Sequence, residues 1–147
     1  LWYRAPDITD FVLPRQEEDL KRDIAEHARE AIHILNALWP EDTHLKTNFP
    51  TDGLENLKAL GLKARAEFQV IISETQDEAP DRRKLKRSFS VVNQFRRTIK
   101  IFIEKAIEKL AEKIIEASLI VVLPMMITLL HYVGALTRQL ARWLGLG

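Results

Sequence analysis

Apolar residues recur at spacings of three and four along most of this chain, and in one stretch they stop alternating with polar residues altogether. Leu20, Ile24, Ala28, Ala31, Leu35 and Leu38 form the first stripe, with Ile32, Ile34 and Trp39 widening it. That period predicts a helix over 14–39, with Pro14 in its first turn, Glu17, Glu18 and Asp19 near its positive end, and Pro40 stopping it. Leu54, Leu57, Leu60, Ala64, Phe68, Ile71 and Ile72 form a second stripe and predict a helix over 54–75. Its β-prone end at Gln69–Ile72 weakens the pattern. Gly61 interrupts this helix at a cost of about 1 kcal/mol relative to Ala, as expected where another helix packs close. Between the two helices, 40–53 reads as a loop, and Asp52 with Glu55 resembles a capping box. The first two helices are expected to pair as an antiparallel hairpin spanning 14–79.

Pro80 and Asp81 open a third segment, with Asp81 as its N-cap. Leu85, Phe89, Val92, Ile99, Ile103, Ala106 and Leu110 continue the helical stripe, which Arg96 interrupts. Glu104, Glu108, Glu112 and Glu116 make one row; Lys105, Lys109 and Lys113 make the row beside it. Such segregated rows are what laterally associating helices use to choose partners. With no breaker between Arg82 and Leu123, the pattern predicts a stalk over 80–116 that runs on into the next segment as one helix of more than 40 residues.

That next segment, Ala117–Thr137, carries no fully charged residue. Its length matches the ~20 apolar residues needed to cross a bilayer core roughly 30 Å thick. A transmembrane helix is the leading expectation, kinked at Pro124, since proline is better tolerated in lipid than in a soluble helix interior. A core helix buried in an oligomer fits the same composition. Within the segment, Ala117, Pro124, Thr128, His131, Ala135 and Arg138 fall on one small, partly polar face, which suggests self-association or a water-accessible pore lining. The tail 138–147 is amphipathic, and Tyr132, Arg142 and Trp143 have the composition of an interfacial anchor. A slight excess of cations before the span places the N-terminal region on the cytoplasmic side.

Composition narrows the chemistry. The net charge is +1, from 22 Lys and Arg against 21 Asp and Glu, which does not suggest nucleic acid as a partner. The absence of Cys removes disulfides, thiolate metal sites and Cys nucleophiles together. His27 and His33 share a helix but lie six residues apart, off the i,i+4 spacing of a shared ligand face. The sequence has no GxSxG, HExxH, P-loop or dinucleotide fingerprint, so neither an enzyme nor a cofactor is expected. Arg82, Arg83, Lys84, Lys86 and Arg87 stand out, because cations at a helix N-terminus oppose the dipole. They read as a solvated face or as a patch for phosphate or another acidic partner.

The opening Leu1–Ile8 resembles the short LWYRAPE-like segment that follows the activation loop in protein kinases, with Asp7 in place of Glu. The Gly-rich loop, catalytic-loop and DFG motifs that would accompany it do not occur, so the resemblance carries no kinase activity. Residues 1–13 read instead as an extended arm. The chain opens on Leu1 rather than Met, as expected of a processed chain or a piece of a longer one. The sequence thus predicts an all-α, non-enzymatic, membrane-anchored subunit that self-associates or scaffolds a complex, with lipid and protein as partners. A soluble all-α interaction module is the alternative.

Overall fold

The computed structural model describes residues 8–39, 54–112 and 117–146, with side chains from residue 16 in the first segment, 55 in the second and 120 in the third. Four helices account for nearly all of it: α1 (Ile8–Leu38), α2 (Leu54–Gln76), α3 (Arg82–Ala111) and α4 (Ala117–Leu144). Each packs on its chain neighbours, and α4 closes the ring by packing on α1. The long side chains mark the antiparallel order. Arg82 at the start of α3 reaches the carbonyl of Leu144 at the end of α4, and Trp143 reaches Glu17 near the start of α1. The result is an up-down-up-down four-helix bundle.

The predicted stripes form its core. Ile24, Ala28, Ala31 and Leu35 from α1, Leu57, Ala64, Phe68 and Ile71 from α2, and Leu85, Val92 and Ile99 from α3 are buried together, and Phe95, which the α3 stripe does not include, is fully buried among them. From α4, Met126, Leu129, Val133, Leu136 and Leu140 enter the same cluster at spacings of three and four. So α4 supplies a third of the buried core residues rather than being an appendage to it. Each such Leu or Met contributes roughly 2 kcal/mol through burial.

Gly61 works as its position suggested. A Cβ there would come within 3.0 Å of the Trp39 ring, 3.3 Å of Leu35 and 3.4 Å of Phe95, so three helices meet closely over a missing side chain. Beside it, the buried Arg65 donates from Nη2 to the carbonyls of Trp39 (2.7 Å) and Leu35 (3.3 Å). A cation there supplies the Trp39 carbonyl with a donor at the negative end of α1 and adds a second to the Leu35 carbonyl, which already accepts from the Trp39 N–H. At the α2–α3 turn, Asp81 caps α3 by accepting from the backbone N–H groups of Arg83 and Lys84, and the largely buried Glu74 accepts from the backbone N–H of Asp81 at 2.9 Å.

Three expectations are corrected. The stalk and the apolar segment are not one helix: α3 ends at Ala111 with Glu112 as its C-cap, and α4 folds back antiparallel along it. The apolar stripe on α3 and the nearly all-apolar α4 bury more against each other than either would as a free rod, and that gain outweighs continued helix propensity. α1 begins at Ile8, six residues before Pro14, so 8–13 is helical rather than part of an extended arm. The β-prone end of α2 stays helical to Gln76, because Ile71 is fully buried in the bundle. The expectations for 1–7 and 40–53, including the kinase-like opening and the Asp52 capping box, fall outside the described residues.

Candidate functional site: the α3–α4 face

α4 runs as one helix through Pro124. The small, partly polar face predicted around Pro124 points away from the core. Pro124, Thr128, His131 and Arg138 are exposed, and Ala135 is half-buried. Thr128 Oγ1 donates to the Pro124 carbonyl at 3.0 Å, and His131 meets Tyr132 edge-on at 5.5 Å between ring centroids. The side chain of Ala117 lies outside the described residues. This face is therefore on the bundle's outer surface, at a position open to a partner.

Two of the three expected anchor residues, Tyr132 and Trp143, have partners within the bundle. Tyr132 is half-buried against His27, with ring centroids 5.9 Å apart, and His27 Nδ1 lies 2.7 Å from Gln139 Oε1. Trp143 Nε1 donates to Glu17 Oε1 at 3.3 Å while Lys21 Nζ sits 5.9 Å from the indole centroid. Arg142 lines a groove there with Arg82, opposite Glu17, Asp19 and Asp23, so the charges in that groove compensate one another.

The basic cluster divides in two. Arg82 Nη2 donates to the Leu144 carbonyl at 2.7 Å, a cation at the negative end of α4. Lys84 Nζ lies 4.0 Å from Glu74. Arg83, Lys86 and Arg87 are exposed, with no ion pair among the described residues.

The charge pattern that the near-neutral total conceals becomes visible once the helices are placed. Between Arg82 and Ile103, α3 carries eight cations and no carboxylate; α4 carries Arg138 and Arg142 and no carboxylate at all. Because these two helices are neighbours, Arg96 and Lys100 of α3 and Arg138 of α4 line one seam with no carboxylate among its lining residues. The compensating acids lie largely on α1, in the turns and at the far end of α3. In the sequence the first five cations stand out as a cluster and Arg96 only as a break in the apolar stripe, while nothing short of the fold links Arg96, Arg97 or Lys100 to Arg138.

Apolar exposure follows the same division. Ile101, Ile107 and Leu110 on α3 and Ile120, Val121 and Ile127 on α4 are 45–72% exposed. Antiparallel packing places the C-terminal end of α3 beside the N-terminal end of α4, so all six gather towards one end of the bundle. Leu110 belongs to the core stripe of α3, yet packing on that stripe ends before it. Among the described residues outside this pair of helices, only Leu62 and Leu146 are large, apolar and exposed.

A shallow groove runs along the α3–α4 seam. α3 contributes Phe89, Asn93, Arg96 and Lys100; α4 contributes Leu130, Gly134 and Arg138. Asn93 Oδ1 accepts from Arg96 Nε at 3.0 Å and fixes that guanidinium. No group of three His, Asp or Glu arranged to hold a metal occurs among the described residues. The stretch Ile120–Leu144 is long and apolar enough to cross a membrane by length and composition, with a mean hydropathy of 1.9, and 44% of its most apolar window is buried. Comparisons with protein-family models, with curated proteins and with solved structures find no match to this chain.

Proposed function

We propose that this chain is a non-enzymatic all-α interaction module that works at a membrane, docking on anionic lipid through its α3–α4 face and leaving α1 and α2 free to engage protein partners or further copies. The observation that carries this reading is the coincidence, on one pair of helices, of eight α3 cations in a carboxylate-free run from Arg82 to Ile103 with six exposed large apolar residues towards the other end of the pair, beside Glu104 and Glu108. Anionic headgroups reward the first at about 1 kcal/mol per cation near the surface. The headgroup–acyl boundary rewards the second. A nucleic acid would use the charge but not the isoleucines.

The test is flotation with vesicles of phosphatidylserine and phosphatidylcholine against phosphatidylcholine alone. Binding to the anionic vesicles only, weakening as salt rises, supports the proposal. Equal binding to both, or to neither, contradicts it.

A second reading has its own support. The apolar composition of α4, with less than half of its most apolar window buried, favours a state in which the bundle opens and α4 inserts as a single span. Alkaline carbonate separates the two. A docked bundle washes off, whereas an inserted α4 stays until detergent is added. The pore version of this reading draws on the outward position of Pro124, Thr128 and His131. Unchanged ion permeability with His131→Leu counts against it.

A further inference from the structure

The seam groove has the construction of a headgroup site, and the residues beyond it continue in a direction that suits a lipid tail. Arg96, Lys100 and Arg138 line it from two helices, and no carboxylate is among its lining residues. Arg96 and Lys100 are like charges one turn apart, an arrangement that destabilises a helix slightly. An anion held between them relieves that repulsion. Arg138 is shaped to reach the same space: a Cβ on the buried Gly134 would lie 3.5 Å from Arg138 Nη1, so the guanidinium rests across the glycine. Guanidinium groups bind phosphate bidentately, and a lysine adds a third charge without demanding geometry.

Helical period then fixes what lies next along the seam. On α3, Asn93, Lys100 and Ile107 are seven residues apart; on α4, so are Gly134, Ile127 and Ile120. Residues two turns apart share a side of a helix. Each line passes through the cationic groove and ends in exposed isoleucine: Ile107 is 50% exposed, Ile127 47% and Ile120 50%. Leu130, at the edge of the groove, bridges the two regions. A charged pocket followed by exposed isoleucines, with Glu104 between Lys100 and Ile107 on the α3 side, matches one amphiphile, with phosphate at one end and hydrocarbon at the other.

We infer that the α3–α4 groove binds a single phospholipid, its phosphate held by Arg96, Lys100 and Arg138 and its acyl chains laid along Ile107, Ile127 and Ile120. This inference rests on the membrane-docking reading and adds a defined headgroup site to it.

The probe is dihexanoyl phosphatidic acid in monomeric solution, titrated calorimetrically into the full chain. Dihexanoyl phosphatidylcholine and inorganic phosphate are the comparisons. Saturable binding of the phosphatidate is expected, with about tenfold weaker affinity in Arg138→Gln, the scale of one charge-assisted hydrogen-bonding partner. Arg83→Gln removes the same charge outside the groove and is expected to leave the affinity within about twofold, as for a distant solvated charge. Equal losses in the two variants overturn the site in favour of diffuse attraction. Inorganic phosphate binding as tightly as the phosphatidate overturns the lipid assignment. If vesicles bind but the short-chain lipid does not, the groove site falls and surface docking stands. If the short-chain lipid binds but vesicles do not, docking falls and the groove stands.

Discussion

The two halves of this bundle are built from the same period but finished differently. α1 and α2 meet over Gly61, where Trp39, Leu35 and Phe95 leave no room for a side chain, and a buried arginine ties the end of one helix to the flank of the other. Their exposed surface is mixed in charge, with Leu62 the only large exposed apolar residue among those whose side chains are described. α3 and α4 also fill the core, but α3 carries eight cations and no carboxylate from Arg82 to Ile103, and the far end of the pair leaves isoleucines without cover beside Glu104 and Glu108. The contrast teaches that core packing explains the first half almost completely and the second half only on its inner side. What remains on α3 and α4 is surface that the fold does not need, with the composition of something used against a partner.

The sharpest way to break that comparison is to attack α4 from each side. Leu129 is fully buried. Leu129→Ala is expected to lower unfolding stability by about 2–5 kcal/mol in denaturant titration, as for other buried leucines. A loss near zero means that α4 does not belong to the core in solution. On the first half, Arg65→Met is expected to cost about 2–3 kcal/mol, because acceptors at the end of α1 lose a charged donor. Gly61→Val overpacks against Trp39 and is expected to cost about 1–3 kcal/mol, read as a lower denaturation midpoint at constant slope.

The outer face of the second half should behave oppositely. The double change Ile120→Ser with Ile127→Ser is expected to leave stability within about 1 kcal/mol, since both residues are half exposed. Vesicle affinity should nevertheless fall by about tenfold or more, reflecting lost apolar contact with lipid. Smallest of all, His131→Leu is expected to move stability by no more than about 0.5 kcal/mol. A large loss there would place His131 in packing that its exposure does not show.

Much of this was legible in the sequence, and the exceptions have physical reasons. The core stripes on α1, α2 and α3 could be read directly, because period and burial coincide there. Gly61 could be read as a close approach because a helix-interior glycine needs a reason. The reversal between α3 and α4 could not. No proline or glycine lies between Arg82 and Leu123 to mark it, and the gain that drives it is tertiary. The composition of α4 fits a membrane span and a bundle helix equally, because both environments reward apolar surface. The seam groove was hidden for a related reason. Arg138 is 38 residues from Lys100 in the chain, and only the fold makes them neighbours.

The absence of Cys allows single labelling sites to be placed at will. Two such sites, one on each half of the bundle, report which face meets lipid. A polarity-sensitive fluorophore is attached to Cys in Ile127→Cys on the α3–α4 face and, separately, to Cys in Asn36→Cys on the exposed side of α1. Each protein is mixed with phosphatidylserine vesicles carrying a quencher in the acyl chains. A blue shift and quenching are expected at position 127 and no change at position 36. If both probes remain in water, or both are quenched alike, the α3–α4 face is not the surface that meets the membrane.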